Sequence, residues 1–329
     1  MTTRMAGFLK RAGIWIGAGA VLLLLYLASS TDLFIKERDP QICEISIIID
    51  SAEDDNYVSF RKGVDRAAVE LHADVSFITL YDNDSWEQQK DLIERETGDG
   101  AQGLILAAVN ADAAAQINAD PSRAVPIVYV DHEVTLQDNH KGAMITFDYE
   151  DLGRQMGEAI LKKGGGSADI YFISRAETYG SAKALNRGIK KALSGSRSAW
   201  ATKVIPDGQE GRQHFLEELK REKPVVLVAL DPDTLDGLAA LLEENKPDER
   251  IRLYGLGSSV RSVKALRRGT ITGMCVTDGF AEGYLSVKTL IDRIENSSGT
   301  MESQVLSGYY IEGEDLGDGH YENILFPIE

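Results

Sequence analysis

Short apolar runs alternate with stretches of helical spacing along most of the chain. The first run after a polar segment is Ile45, Ile47, Ile48 and Ile49, β-branched and nearly unbroken by polar residues. Such a run suits a strand buried on both faces of a parallel sheet. It stops at Asp50-Ser51, residues 52–56 are small or polar, and Tyr57, Phe60, Val64, Ala67, Ala68 and Leu71 then recur at helical spacing. The order is strand, polar loop, helix. In an open α/β sheet, ligands bind at the carboxyl ends of strands. Asp54, Asp55, Asn56 and Tyr57 are therefore placed where a polar ligand with an apolar face would be held. The loop has no glycine, which argues against a phosphate cradle of the Gly-rich kind.

The same alternation continues. Strands are expected at 75–80, 103–108 and 126–131, with helices at 85–96 and 112–117 between them. This βαβ series predicts a parallel sheet with right-handed crossovers. A second series follows, with strands at 144–147, 169–174, 203–205, 225–230, 252–255, 271–276 and 304–311. Its helices are expected at 149–163, 181–193, 213–220, 233–244 and 280–294. Gly164-Gly165-Gly166 stops the first of these helices. The two similar βα halves are the only internal repetition.

Length supports two lobes, because 329 residues exceed what one core usually holds. Residues 12–28 carry no charge and are rich in Leu, Val, Ile and Ala. As a helix they would span about 26 Å, close to the hydrocarbon thickness of a bilayer. Arg4, Lys10 and Arg11 precede them, so the positive-inside rule places residues 1–11 in the cytoplasm and everything after Ser30 outside. The run is longer than the usual ~7–15-residue signal core, which favours a single-pass membrane anchor; a signal peptide cleaved near Ala28-Ser29-Ser30 is the alternative. Residues 29–41, with Pro40, read as a tether. Residues 1–31 hold three of the 35 basic residues and no acidic one, leaving 32 against 52 acidic, a net of −20. That surface repels nucleic acid and anionic lipid. Cys43 and Cys275 each lie in an apolar run: buried thiols, or a disulfide that would oppose motion between lobes.

Several dispersed cues resemble the type I periplasmic substrate-binding proteins, the group of ribose-, galactose- and xylose-binding proteins. They are Tyr57-Val58-Ser59-Phe60-Arg61-Lys62-Gly63, Gln88 or Gln89, Ala101-Gln102-Gly103-Leu104-Ile105-Leu106 and Val125-Pro126-Ile127-Val128. Phe147-Asp148 with Gly153, Arg268-Gly269, Thr277-Asp278 and Gly283-Tyr284 complete the order. The resemblance covers about residues 42–316. It implies an α/β fold of two doubly wound parallel-sheet lobes joined by three crossings and closing on a ligand. Lobe one would be 42–131 plus 278–306, and lobe two 132–277 plus 307–329.

The resemblance also implies a ligand site at Asp54, Asn56, Tyr57, Asn110, His132, Lys183, Asp231 and Thr277. Several of these depart from the family pattern. An Asp common after the third strand is Asn110 here, and an Arg five positions before the helix glycine Gly188 is Lys183, a weaker bidentate donor. The lobe-two Asn is Asp231, the Asp of a Gly-Phe-Asp element is Gly257, and a Gln near the last crossing is Thr277.

Each candidate also has a structural reading. Tyr57 stacks on a ligand or extends the first helix's apolar face. Asp54 and Asp55 accept hydroxyl hydrogens or favour a helix N-terminus. Asp231-Pro232-Asp233 presents a carboxylate or caps a helix. His132 touches ligand or lies solvated at a hinge, and Lys183 faces the cleft or solvent. His72, His132, His140, His214 and His320 are scattered without metal-ligand spacing, so neither metal nor cofactor is expected. Ser181 has no nucleophile-elbow context. The expected function is an extracytoplasmic receptor for a sugar or polyol, serving an ABC-type permease or a sensor histidine kinase; a hydrolase on an α/β scaffold is the alternative class.

Overall fold

The computed structural model describes residues 15, 17, 19–23, 26, 42–49, 57–81, 85–119, 125–131, 134, 136, 142–174, 180–206, 208–219, 223–245, 249–296 and 300–327. The chain divides into Met1–Ile42 and Cys43–Glu329. In the first unit the described residues from Trp15 to Tyr26 are helical. Among the described residues no helix is long and apolar enough to cross a membrane. Most of the expected anchor at 12–28, and all of its flanks at 1–11 and 29–41, lie outside the described residues.

The second unit holds two six-stranded sheets of matching topology. Sheet one contains β1 (Cys43–Ile49), β2 (Ala73–Thr79), β3 (Gly103–Leu106), β4 (Ile127–Tyr129), β5 (Gly142–Phe147) and β11 (Gln304–Leu306), in the order β11-β5-β4-β3-β1-β2. All of its pairings are parallel. Sheet two contains β6 (Asp169–Ile173), β7 (Ala199–Lys203), β8 (Val225–Ala229), β9 (Ile251–Leu256), β10 (Ile271–Thr277) and β12 (Gly308–Ile311), in the order β12-β10-β9-β8-β6-β7. Only β12 runs antiparallel to its neighbour. Each sheet is doubly wound, with its switch point between β1 and β3 or between β6 and β8.

Both faces of each sheet are covered. Ile45, Ile47 and Ile49 point toward α1 (Val58–Leu71) and α9 (Gly279–Glu295), packing with Phe60, Val64, Val287 and Leu290. Ile48 points the other way, into a core with Leu92 of α2 (Trp86–Asp99) and Ala113 of α3 (Ala111–Ala119). In sheet two, α4 (Tyr149–Lys162) and α5 (Gly180–Ala192) cover one face. The other face carries α6 (Gly208–Leu219), α7 (Pro232–Asn245), α8 (Val260–Arg268) and α10 (Gly319–Leu325). Full burial of both faces explains why β1 and β8 read as continuous apolar runs.

The paired helices approach at glycines. A Cβ on Gly63 of α1 would lie 2.0 Å from the Phe280 carbonyl oxygen, and one on Gly283 of α9 2.2 Å from that of Phe60. The α4–α5 pair repeats this: a Cβ on Gly153 would lie 2.1 Å from the Leu185 carbonyl oxygen, and one on Gly188 2.0 Å from that of Glu150.

The chain changes sheets three times, and one expectation needs correction. The resemblance puts residues 132–147 in lobe two, yet β5 pairs with β4 in sheet one. The first crossing therefore runs through Asp148, after Phe147. A short apolar strand reads alike in either sheet; the crossing shows only in the helix that follows, since α4 packs on α5. The second crossing has the same form: β10 lies in sheet two, Asp278 follows, and α9 packs on α1. Asp148 and Asp278 each cap the helix they open, accepting from Asp151 N–H and Ala281 N–H, both at 2.9 Å. The single strand expected at 304–311 is two strands, β11 and β12, in different sheets, and Ser307 between them is the third crossing. The Asp148 N–H donates to the Leu306 carbonyl at 3.3 Å, tying the first crossing to the third.

Cys43 and Cys275 are both buried thiols, one in each sheet's core, which removes the disulfide alternative. Burial pushes the Cys275 thiol far above its ordinary range, with a smaller contribution from the Asp151 charge. Such a thiol stays protonated and inert.

Candidate ligand cleft

The carboxyl ends of β1, β3 and β4 in sheet one, and of β6, β8 and β9 in sheet two, flank the switch points where an open α/β sheet binds ligands. The side chains there fall into two local networks.

In lobe one, Tyr57 stands at the start of α1. Tyr57 is 8% exposed, and its ring packs edge-on against Phe60, with centroids 6.0 Å apart. Its hydroxyl donates to Asp131 Oδ2 at 2.6 Å. Asp131 follows β4 and has φ of 64°, the left-handed region that Asp tolerates better than most residues. Its backbone N–H in turn donates to Glu282 Oε1 at 3.2 Å. Glu282 lies in the first turn of α9 and is buried. Burial pushes its carboxyl well above the ordinary range, and the nearby Asp131 charge pushes the same way; the Asp131 N–H opposes them, and Asp278 adds a smaller upward push. Glu282 is thus held in its neutral form beyond the usual carboxylate range.

The end of β3 is fixed separately. Gln89 of α2 is fully buried; its Nε2 donates to the Ala107 carbonyl at 2.8 Å and its Oε1 accepts from Val109 N–H at 3.1 Å. Asn110 then caps α3, its Oδ1 accepting from Ala113 N–H at 2.8 Å.

In lobe two, Asp231 is 7% exposed and caps α7. Its Oδ1 accepts from Thr234 N–H at 2.9 Å and its Oδ2 from the Thr234 hydroxyl at 2.8 Å. Pro232 occupies the first helical position, where its missing N–H costs nothing. Ser259 caps α8, and its hydroxyl hydrogen meets the Asp236 carboxylate of α7, with Oγ 2.8 Å and 2.7 Å from the two oxygens. The N-termini of α7 and α8 are thereby joined. Ser174, 5% exposed, follows β6. Lys183 lies on the exposed face of α5 in its first turn, and Thr277 is half-buried at the end of β10.

Asp54, Asn56 and His132 lie outside the described residues. Of the other expected positions, Tyr57 opens α1, Asn110 follows β3, Thr277 ends β10, and Asp231 both follows β8 and caps α7. The structure adds Asp131 and Glu282 as Tyr57's neighbours. Asp131 could have been noticed as the polar residue ending a strand. Glu282 could have been noticed as an acid sharing the face of Ser286, Val287 and Leu290 on an amphipathic helix. Among the described residues no group of His, Cys, Asp and Glu is arranged to hold a metal ion.

Comparison with known proteins agrees with this geometry. Residues 45–298 match the periplasmic binding protein domain family. No curated protein matches the chain significantly. Among solved structures, a glucose-galactose binding protein from Geobacillus stearothermophilus, GanP, superimposes with a TM-score of 0.72 at 16% identity over 84% of this chain and 99% of its own. An ABC transporter solute-binding protein from Burkholderia graminis, in complex with D-arabinose, gives a TM-score of 0.74 at 16% identity over 85% and 99%. A XylFII–LytSN complex gives 0.69 at 18% identity over 84% and 100%. The family and these neighbours are binding proteins rather than enzymes, which sets the hydrolase alternative aside. With its two doubly wound sheets and three crossings, the chain belongs to the periplasmic binding protein family.

Proposed function

We propose that the chain is a membrane-anchored extracytoplasmic receptor that closes its two lobes on a sugar or polyol. The observation that carries this reading is the pairing of two like-wound sheets whose switch points are edged with neutral and acidic acceptors, Asn110 and Asp131 in one and Ser174 and Asp231 in the other. Such groups suit hydroxyl donors, and the net charge of −17 disfavours an anion. The arabinose-bound neighbour supports the same ligand class. Asp54, Asn56, His132, Lys183 and Thr277 complete the proposed site. Tyr57 acts there through Asp131, whose carboxylate it orients, and less as a stacking platform, since its ring is packed in the core. Asp231 retains acceptor capacity beyond its two bonds to Thr234, because each carboxylate oxygen accepts about two hydrogens.

A ligand of micromolar affinity supplies about 8 kcal/mol, ample to shift an open–closed equilibrium of a few kcal/mol if it prefers the closed form. The anchor rests on the uncharged stretch at 12–28 behind Arg4, Lys10 and Arg11. Delivery to an ABC-type permease is one output. Docking on a sensor histidine kinase is the other, and the XylFII–LytSN complex, in which a similar fold meets a second protein, favours it. The test is thermal denaturation of the full chain with glucose, galactose, D-xylose, D-arabinose, D-allose, D-tagatose and myo-inositol. At least one should raise the midpoint by several degrees at millimolar concentration. No shift with any of them, from a sample that unfolds cooperatively, would overturn the ligand class.

A further inference from the structure

The C-terminal segment belongs to lobe two by its core, yet it reaches lobe one. Ile324 and Leu325 of α10 are buried with Leu238, Val263 and Met274, the core of sheet two. Two residues later, the Pro327 carbonyl accepts from the Lys62 ammonium of α1 at 3.0 Å. Lys62 is half-buried and Pro327 buried, so this bond is only partly exposed to water. It bypasses all three crossings. Between this strap and the crossings lies a cavity of about 340 Å³. Asp278 and Ser307, the second and third crossings themselves, line it, as do Phe280 of α9, Tyr309 of β12 and His320 and Asn323 of α10. One wall therefore belongs to lobe one and the other to lobe two.

We propose that α10 through Pro327 is a strut across the hinge, which sets the resting angle between the lobes through the Lys62 strap and the space it leaves behind the crossings. The inference rests on the reading that the lobes move on those crossings, but it requires no knowledge of the ligand. A covalent hinge of three short segments constrains the separation of the lobes and leaves their rotation soft. A charge-assisted bond placed off the hinge line resists that rotation with a longer lever arm. The cavity supplies the room without which rotation would drive α9 against β12 and α10, since packed elements do not compress. Filling the cavity and cutting the strap should therefore both alter the resting angle, although neither change touches a proposed ligand residue.

The experiment measures the distance between spin labels at Asp91→Cys on α2 and Arg212→Cys on α6, both exposed, in the full chain without ligand. Lys62→Met should broaden the distance distribution and enrich the minor lobe arrangement about 5-fold, the factor that ~1 kcal/mol represents. Asn323→Trp, which fills the cavity from an exposed position, should displace the mean distance. Lys90→Met, an exposed lysine of α2 paired along its own helix with Glu94, should leave the distribution unchanged. If Lys62→Met and the control give the wild-type distribution, the strut assignment is wrong, whatever Asn323→Trp does. If the labels move but no sugar binds, the strut stands and the ligand reading fails.

Discussion

The two lobes are built alike and put the acids near their strand ends to different use. Each has the same strand order, a glycine-matched helix pair and a crossing that begins with a capping aspartate. In lobe two, Asp231 and Asp236 are spent within the lobe, capping α7 and joining it to α8. In lobe one, Asp131 and Glu282 form a chain that runs from Tyr57 at the cleft to the first turn of α9, the helix entered directly from the second crossing. A shared fold thus carries a rigid polar floor on one side and, on the other, a polar connection between cleft and hinge. Topology alone does not reveal that difference; the hydrogen-bond partners do.

The comparison breaks first at the helix pairs. Gly63→Val and Gly188→Val each place atoms against a carbonyl that cannot move without separating two helices. Each should cost about 3 kcal/mol. Calorimetry should show comparable losses in the two lobes. A loss in only one lobe would mean that the matched glycines are not equivalent.

Next comes the lobe-one chain. Tyr57→Phe removes a hydrogen bond to a charged acceptor and should cost about 1.5–3 kcal/mol in chemical denaturation. Glu282→Gln tests the same chain by pH. The folded state raises the Glu282 carboxyl above its unfolded value near 4.5, so its contribution is full below that pH and falls away as pH climbs toward the raised folded value. Wild-type stability should decline over that interval. Gln keeps an acceptor for the Asp131 N–H and cannot ionise, so the variant should lose that part of the decline. An identical pH profile would remove Glu282 from the account.

The lobe-two floor should respond more mildly. Asp231→Ala removes a cap at a cost of about 1 kcal/mol and lowers affinity about 10-fold or more for any sugar that stabilises the wild type. Stability lost with affinity kept would make Asp231 a cap alone. Lys183→Met, on an exposed helix face, should change stability by less than about 0.5 kcal/mol and show its effect only in ligand titration.

Much of the fold was legible because parallel strands buried on both faces leave long apolar runs, as in Ile45–Ile49 and Val225–Ala229. β7 leaves no such run because Ala199, Trp200, Ala201 and Thr202 are all exposed, on both faces of an edge strand. α8 and α10 give little sequence signal because nine and seven residues leave periodicity little room, and four of the residues in α8 are basic. The first crossing leaves no sequence signal because nothing in a strand's own residues names its sheet. At the site, Asp231-Pro232-Asp233 was readable as a cap because capping is local. The Asp131–Glu282 contact spans 151 positions and leaves no local trace.

The most direct measurement is a crystal structure of the chain with the sugar that most raises its unfolding midpoint. That sugar should lie between the β1–β3 and β6–β8 switch points, with hydroxyls on Asp131 and Asp231 and the lobes closed around it. A sugar bound on one lobe alone, or away from both switch points, would contradict it.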